Sequence, residues 1–184
     1  MNILELIDQS IETKQKLKAE ISTIEKIAKA VISAYKRGNK VILCGNGGSA
    51  ADAQHIACEF VGGLSKDRRP LAAIALTTNS SIITAIANDM SFDEIFDRQI
   101  QAIGHKGDIL IAISTSGNSP NVIKAVEKAK LMGIYTVGLT GATGDKLSGI
   151  TDIAIKVPST NTQRIQESHI LIGHIICEIV ESNY

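Results

Sequence analysis

Apolar residues recur at helical spacing over the first part of the chain. Ile3, Ile7 and Ile11 step by four, and Ile24, Ile27, Val31 and Tyr35 step by three or four, with Lys and Glu between them. The spacing predicts one long helix or two over residues 3–37, closed by Gly38 and Asn39 of the stretch KRGN. Beyond it the rhythm changes. KVILC (40–44), LAAIAL (71–76), DILIAIS (108–114), YTVGLT (135–140) and DIAIKV (152–157) are short apolar runs, most with little alternation, as in strands buried on both faces. Helices are predicted between them over about 49–62, over 80–101 with a break near Asp89 and Ser91, and over 120–132. A short helical turn is expected near 144–149 and a last helix over 161–182, with TNTQ (160–163) reading as its capping box.

Strand alternating with helix implies an α/β fold: a three-layer, doubly wound, five-stranded parallel sheet of flavodoxin-like order with an N-terminal helical extension. The expected organisation is one domain over 1–184, with a helical segment at 1–38 and an α/β core at 39–184. Ligands of such sheets sit beyond the carboxyl ends of the strands. That places the loops 45–49, 77–80, 114–119 and 140–144 around the site.

Composition narrows the function classes. The 19 basic and 19 acidic residues cancel, leaving no electrostatic footprint for nucleic acid or an anionic membrane. Aromatic residues make up only 3% and Trp is absent, which argues against base stacking. No apolar run approaches the ~20 residues that span a bilayer, and the N-terminus has no apolar signal core. Cys44, Cys58 and Cys177 form no CxxC pair and read as buried, reduced thiols of a cytoplasmic protein.

Gly45, Gly47 and Ala50 fit G-x-G-x-x-A between a strand and a helix, a loose dinucleotide fingerprint. The second strand ends LTTNS, without the acid that holds a ribose; Asp67 lies ahead of it, and no Lys follows the glycines to make a P-loop. No nucleotide cofactor is therefore expected. A tight strand-to-helix turn alone would need these glycines, but Gly47 and Gly48 also let backbone approach a polar ligand. Asn46 supplies a donor and an acceptor, and Ser49 is a candidate N-cap. The second loop, STSGNSP (114–120), puts Ser114, Thr115, Ser116 and Ser119 beside a helix N-terminus that favours an anion. Ser119 is the expected N-cap and Pro120 suits the first turn, so the loop reads as a phosphate cradle of neutral donors.

His55 and Glu59 share one helical face at i and i+4, a spacing that a simple ion pair would also produce. The last helix supplies context with Gln166, Glu167, His169 and His174. Such donors suit Zn²⁺, and proton transfer needs a Glu or His titrating near neutrality. Gln166 and His174 lie ~12 Å and ~80° apart on a straight helix, so one helix does not easily bring both to one ion. Either the helix starts later or a neighbouring subunit contributes.

The stretches CGNGGSAADAQHIACEFVG, AIALTTNSSIITAIANDMSFDEIF, GDILIAISTSGNSPNVIKA, GLTG and RIQESHILIGHIICE resemble the phosphoheptose isomerases, small members of the sugar isomerase (SIS) family. The glycine and serine motifs are common to SIS domains; the His55–Glu59 pair, AND (87–89) and RIQE (164–167) are more specific. The resemblance implies a cytoplasmic homotetramer with sites at subunit interfaces. It would convert sedoheptulose 7-phosphate to D-glycero-D-manno-heptose 7-phosphate for lipopolysaccharide or capsule. It implies one zinc per subunit on His55, Glu59, Gln166 and His174. It implies substrate contacts from Asn46, Gly47, Gly48, Glu59, Asn88, Asp89, Ser114, Thr115, Ser116, Ser119 and Gln166, with Glu59 and His174 as the acid–base pair. Non-catalytic SIS proteins that bind a sugar phosphate or a replication-initiator partner are the alternative; they can lose the acid–base residues, which are present here. One position departs from the pattern: Gly63 stands where such isomerases commonly carry Arg, with Arg68 and Arg69 a few residues on.

Overall fold

The computed structural model describes residues 2–64 and 67–184. Five parallel strands, β1 (Val41–Gly45), β2 (Ala73–Ala75), β3 (Ile109–Ser114), β4 (Tyr135–Gly141) and β5 (Ile153–Val157), form one sheet in the order β2-β1-β3-β4-β5. This is the flavodoxin-like order expected from the alternation of elements. The registers Val41↔Ile109 and Ser114↔Thr140 bring the carboxyl ends of β1, β3 and β4 to one edge.

The lack of alternation in the strand sequences has a direct cause. Val41 and Leu43 of β1 point into one core with Ile27, Val31, Phe60, Ile172 and Val180, while Ile42 and Cys44 point into a second core with Phe96, Ile100, Val122 and Val126. Both faces are covered, so both sets of side chains are apolar. The first core lies under α2 (Ile21–Lys36), α3 (Gly48–Gly62) and α8 (Thr162–Glu181). The second lies under α5 (Asp97–Ile103), α6 (Pro120–Leu131) and α7 (Asp145–Ile150). The paired part of β2 is shorter than its apolar run because it is an edge strand; Leu71 and Leu76 beyond it remain buried.

The N-terminal region is two helices, α1 (Ile3–Leu17) and α2, separated by a 3-10 turn at Lys18–Glu20. The α2 stripe Ile24, Ile27, Val31 and Tyr35 is buried, but Ile3, Ile7 and Ile11 of α1 are 75%, 52% and 49% exposed. The α2 stop is the expected one: Gly38 takes φ 82°, and Asn39 N–H and Gly38 N–H donate to the carbonyls of Ala34 and Tyr35. The predicted 80–101 helix breaks after α4 (Ser80–Asp89), where Ser91 Oγ accepts from Asp93 N–H and a 3-10 turn precedes α5.

Local expectations are corrected at four points. Asn161, rather than Thr160, caps α8: its backbone is extended and its Oδ1 accepts from the N–H groups of Gln163 and Arg164. Gly47 is the N-cap of α3, which leaves Ser49 buried within the first turn. Ser119 occupies the N-cap of α6, but its hydroxyl bonds Ser114 rather than the helix. Cys58 is exposed, unlike Cys44 and Cys177. At the amino ends of the strands, Asp108 is buried and accepts from Lys40 Nζ at 2.6 Å, Lys40 N–H and His105 N–H. Burial pushes its carboxyl up, but these donors hold it below its ordinary range on balance. Among the described residues, no helix is long and apolar enough to cross a membrane.

Candidate active site

The two loops expected to meet ligand follow β1 and β3 and touch through Asn46 and Asn121. In the first, Gly47 takes φ 56°, a backbone open to glycine at little cost, and turns the chain into α3. Gly48 lies so close to α8 that a Cβ there would come within 2.5 Å of Gln166 Nε2. In the second loop, Gly117 N–H donates to Ser114 carbonyl, and Gly117 takes φ 66° against the Gly144 backbone. Ser114 Oγ and Ser119 Oγ are 3.0 Å apart, and Thr115 carbonyl accepts from Gly141 N–H at 3.0 Å. Ser116 is exposed at the tip, where its Oγ accepts from Asn118 N–H. The hydroxyls gather around the start of α6, a 12-residue helix whose dipole favours negative charge.

A contact invisible in the sequence joins the loops. Asn46 and Asn121 exchange two amide hydrogen bonds of 2.9 Å, and Asn121 Oδ1 also accepts from Val122 N–H. Asn121 is 1% exposed. The only signal available beforehand was a second amide directly after the Ser-Pro start of a helix.

From the loops, α3 and α8 run in the same direction, with Gly48 beside Gln166 and Gly173 beside Ile56. Along this seam His55 Nε2 lies 3.0 Å from Glu59 Oε1 and 3.3 Å from His174 Nε2. Ligand atoms of all three residues lie within 4.8 Å of one another. A tetrahedral zinc with bonds of about 2.0–2.1 Å spaces its ligand atoms by ~3.3 Å, so two imidazoles and a carboxylate at these separations fit that ion. Gln166 stays with Gly48, seven residues before His55 on the facing helix and so ~10 Å up the seam. Within one chain its amide therefore lies against the glycine loop.

Asp52 belongs to the same face as His55 and Glu59 but was not singled out in the sequence. Its Oδ2 is buried without a hydrogen-bond partner among the described residues, and burial pushes the carboxyl up to about 6, with His55 pulling the other way. The available signal was its place three residues before His55. Asn88 and Asp89 end α4 on the exposed surface, where Asn88 Nδ2 donates to Asp89 Oδ1 at 2.7 Å. Among the described residues, no hydrogen bond joins their side chains to either loop.

The SIS domain family model matches residues 5–141. A phosphoheptose isomerase of Aneurinibacillus thermoaerophilus is 56% identical over 178 residues, covering 95% of this chain and 90% of that protein. The solved phosphoheptose isomerase of Neisseria gonorrhoeae superposes with a TM-score of 0.93 at 41% identity, covering 98% of this chain and 97% of that one. The one from Francisella tularensis gives 0.90 at 38% identity, covering 99% and 100%.

Proposed function

This chain belongs to the phosphoheptose isomerases of the SIS family, aldose–ketose isomerases of heptose biosynthesis, and we propose that the α3–α8 seam is where its proton transfer takes place. The substrate is sedoheptulose 7-phosphate and the product D-glycero-D-manno-heptose 7-phosphate. The observation that carries the site assignment is the cluster of His55, Glu59 and His174 at the far end of a seam that begins at the two ligand loops.

The reaction moves a proton between adjacent carbons through an enediol. Ser114, Thr115, Ser116 and Ser119, with the start of α6, hold the phosphate, while Asn46, Gly47 and Gly48 line the path to the reacting end. Fixing the tail spends binding energy on orientation of the carbonyl end. Glu59 takes a proton from C1 and returns it at C2. His174 exchanges protons with the two oxygens, so charge never accumulates on the sugar. His55, Glu59 and His174 would hold one zinc, which when bound supplies Lewis-acid polarisation of the substrate oxygens.

The working form is a homotetramer in which neighbouring chains complete each site. The exposed stripe Ile3, Ile7 and Ile11 on α1 supports this, because a contiguous apolar patch rimmed by charge calls for a partner. The separation of Gln166 from the other three proposed ligands within one chain supports it too, as does the exposure of Asn88 and Asp89. The product supplies heptose to lipopolysaccharide or capsule from the cytoplasm. A coupled assay with sedoheptulose 7-phosphate tests the activity. A crystal soaked with substrate tests the site: the phosphate belongs at residues 114–119, and a phosphate bound elsewhere would refute the assignment.

A further inference from the structure

Arg68 follows the glycine pair Gly62–Gly63 that ends α3, and its guanidinium returns to the last turn of that helix. Nη2 donates to Glu59 carbonyl at 2.9 Å, and Nη1 donates to Phe60 carbonyl at 2.9 Å and Arg69 carbonyl at 3.0 Å. Nε pairs with Glu181 Oε1 at 3.2 Å, and the same oxygen accepts from Leu64 N–H at 2.9 Å. The side chains of Arg68 and Glu181 are 3% and 2% exposed. The clamp therefore joins the last turn of α3, which carries Glu59, to the last turn of α8, the helix that carries His174 about two turns earlier.

Two features set this arrangement apart from an ordinary helix cap. Glu59 carbonyl already accepts from Gly63 N–H at 3.0 Å, so the arginine is not needed to satisfy it. A buried ion pair is also a poor source of stability, since desolvation offsets its attraction. What the clamp does supply is geometry and charge. The fork holds two successive carbonyls at once, which fixes the backbone rotation that aims the Glu59 side chain. Its positive charge also opposes the negative end of the α3 dipole, where a carboxylate is otherwise disfavoured.

We propose that Arg68, held by Glu181, is a positioning residue that sets Glu59 against His174 for proton transfer. The inference rests on the seam being the active site, and its test separates the two claims. Kinetics with sedoheptulose 7-phosphate would be measured for the wild-type chain, Arg68→Lys, Glu181→Gln and, as a control for lost stability, Lys40→Met, whose ammonium bonds buried Asp108 and His105 and, among the described residues, no side chain of α3 or α8. Lysine keeps the charge but cannot bridge two carbonyls. Arg68→Lys is expected to lower kcat roughly 10- to 100-fold with KM near its wild-type value, because misplacing a reacting group acts on the chemical step. Glu181→Gln is expected to lower kcat in the same way but less, and Lys40→Met to lower Tm while keeping kcat. Wild-type kcat in both Arg68→Lys and Glu181→Gln would overturn the proposal, as would a loss of kcat in Lys40→Met matching theirs. If Arg68→Lys does not fold, unchanged kcat in Glu181→Gln overturns it alone. A wild-type chain inactive on this substrate would overturn the functional assignment as well.

Discussion

His55 Nε2 faces His174 Nε2 at 3.3 Å across the seam between α3 and α8, although the residues are 119 positions apart in sequence. Two ring nitrogens at that distance need either a shared proton or a shared cation. With Glu59 beside them, the pair forms a donor set of the kind that suits a metal ion.

Glu59→Gln keeps the shape of the side chain and removes the base. Turnover of sedoheptulose 7-phosphate is expected to be nearly abolished while calorimetry still detects sugar phosphate binding. Substantial residual kcat would remove Glu59 from the chemistry.

Chelation is expected to lower activity, and added Zn²⁺ to restore it. His55→Ala and His174→Ala should each weaken zinc binding in a direct titration, since each removes a donor from the cluster. A metal-free protein with full activity would leave the ion without a catalytic part.

Gly117→Ala forces a side chain into a left-handed backbone position and against Gly144. Strain of this kind costs about 1–3 kcal/mol. The phosphate loop is the part displaced, so KM should rise together with a fall in Tm. An unchanged KM would mean that the serine loop does not hold substrate.

His169 is fully buried on α8, with Nε2 3.3 Å from Thr140 carbonyl and Nδ1 unpartnered among the described residues. Burial lowers its pKa from 6.5 to about 4, opposed by the Thr140 bond. Between those values the unfolded chain carries the extra proton, so this residue's contribution to stability is full above pH 6.5 and falls as pH drops toward 4. The lost contribution is about 3 kcal/mol. Urea unfolding across this range should show a steeper acid loss in the wild-type chain than in His169→Gln; parallel curves would contradict the assignment.

Ile7→Glu with Ile11→Glu places two charges on the exposed stripe of α1. Sedimentation should then show smaller species than for the wild-type chain, with reduced activity if neighbours complete the site. An unchanged oligomer would move the interface elsewhere.

Much of the fold was legible because a sheet covered on both faces leaves continuous apolar runs, and β1 and β3 show this in every residue. The His55–Glu59 pair was legible because i,i+4 spacing fixes a shared face. Other features depend on which segments the fold brings together. No pattern distinguishes Thr160 from Asn161 as a cap, since both residue types serve and the backbone dihedrals decide. The helical repeat of Ile3, Ile7 and Ile11 marks an apolar face but not what covers it. Asn121 and Arg68 act on residues 75 and 9 positions away, and neither spacing has a periodic signature.

The reciprocal bonds between Asn46 and Asn121 have a consequence for how ligand enters. Separating the two chain segments would strand a donor and an acceptor on each amide, so the pair resists opening and the segments shift as one rigid lip. An incoming ester that docks on one half therefore finds the other already in place, and little ordering entropy remains to be lost on arrival.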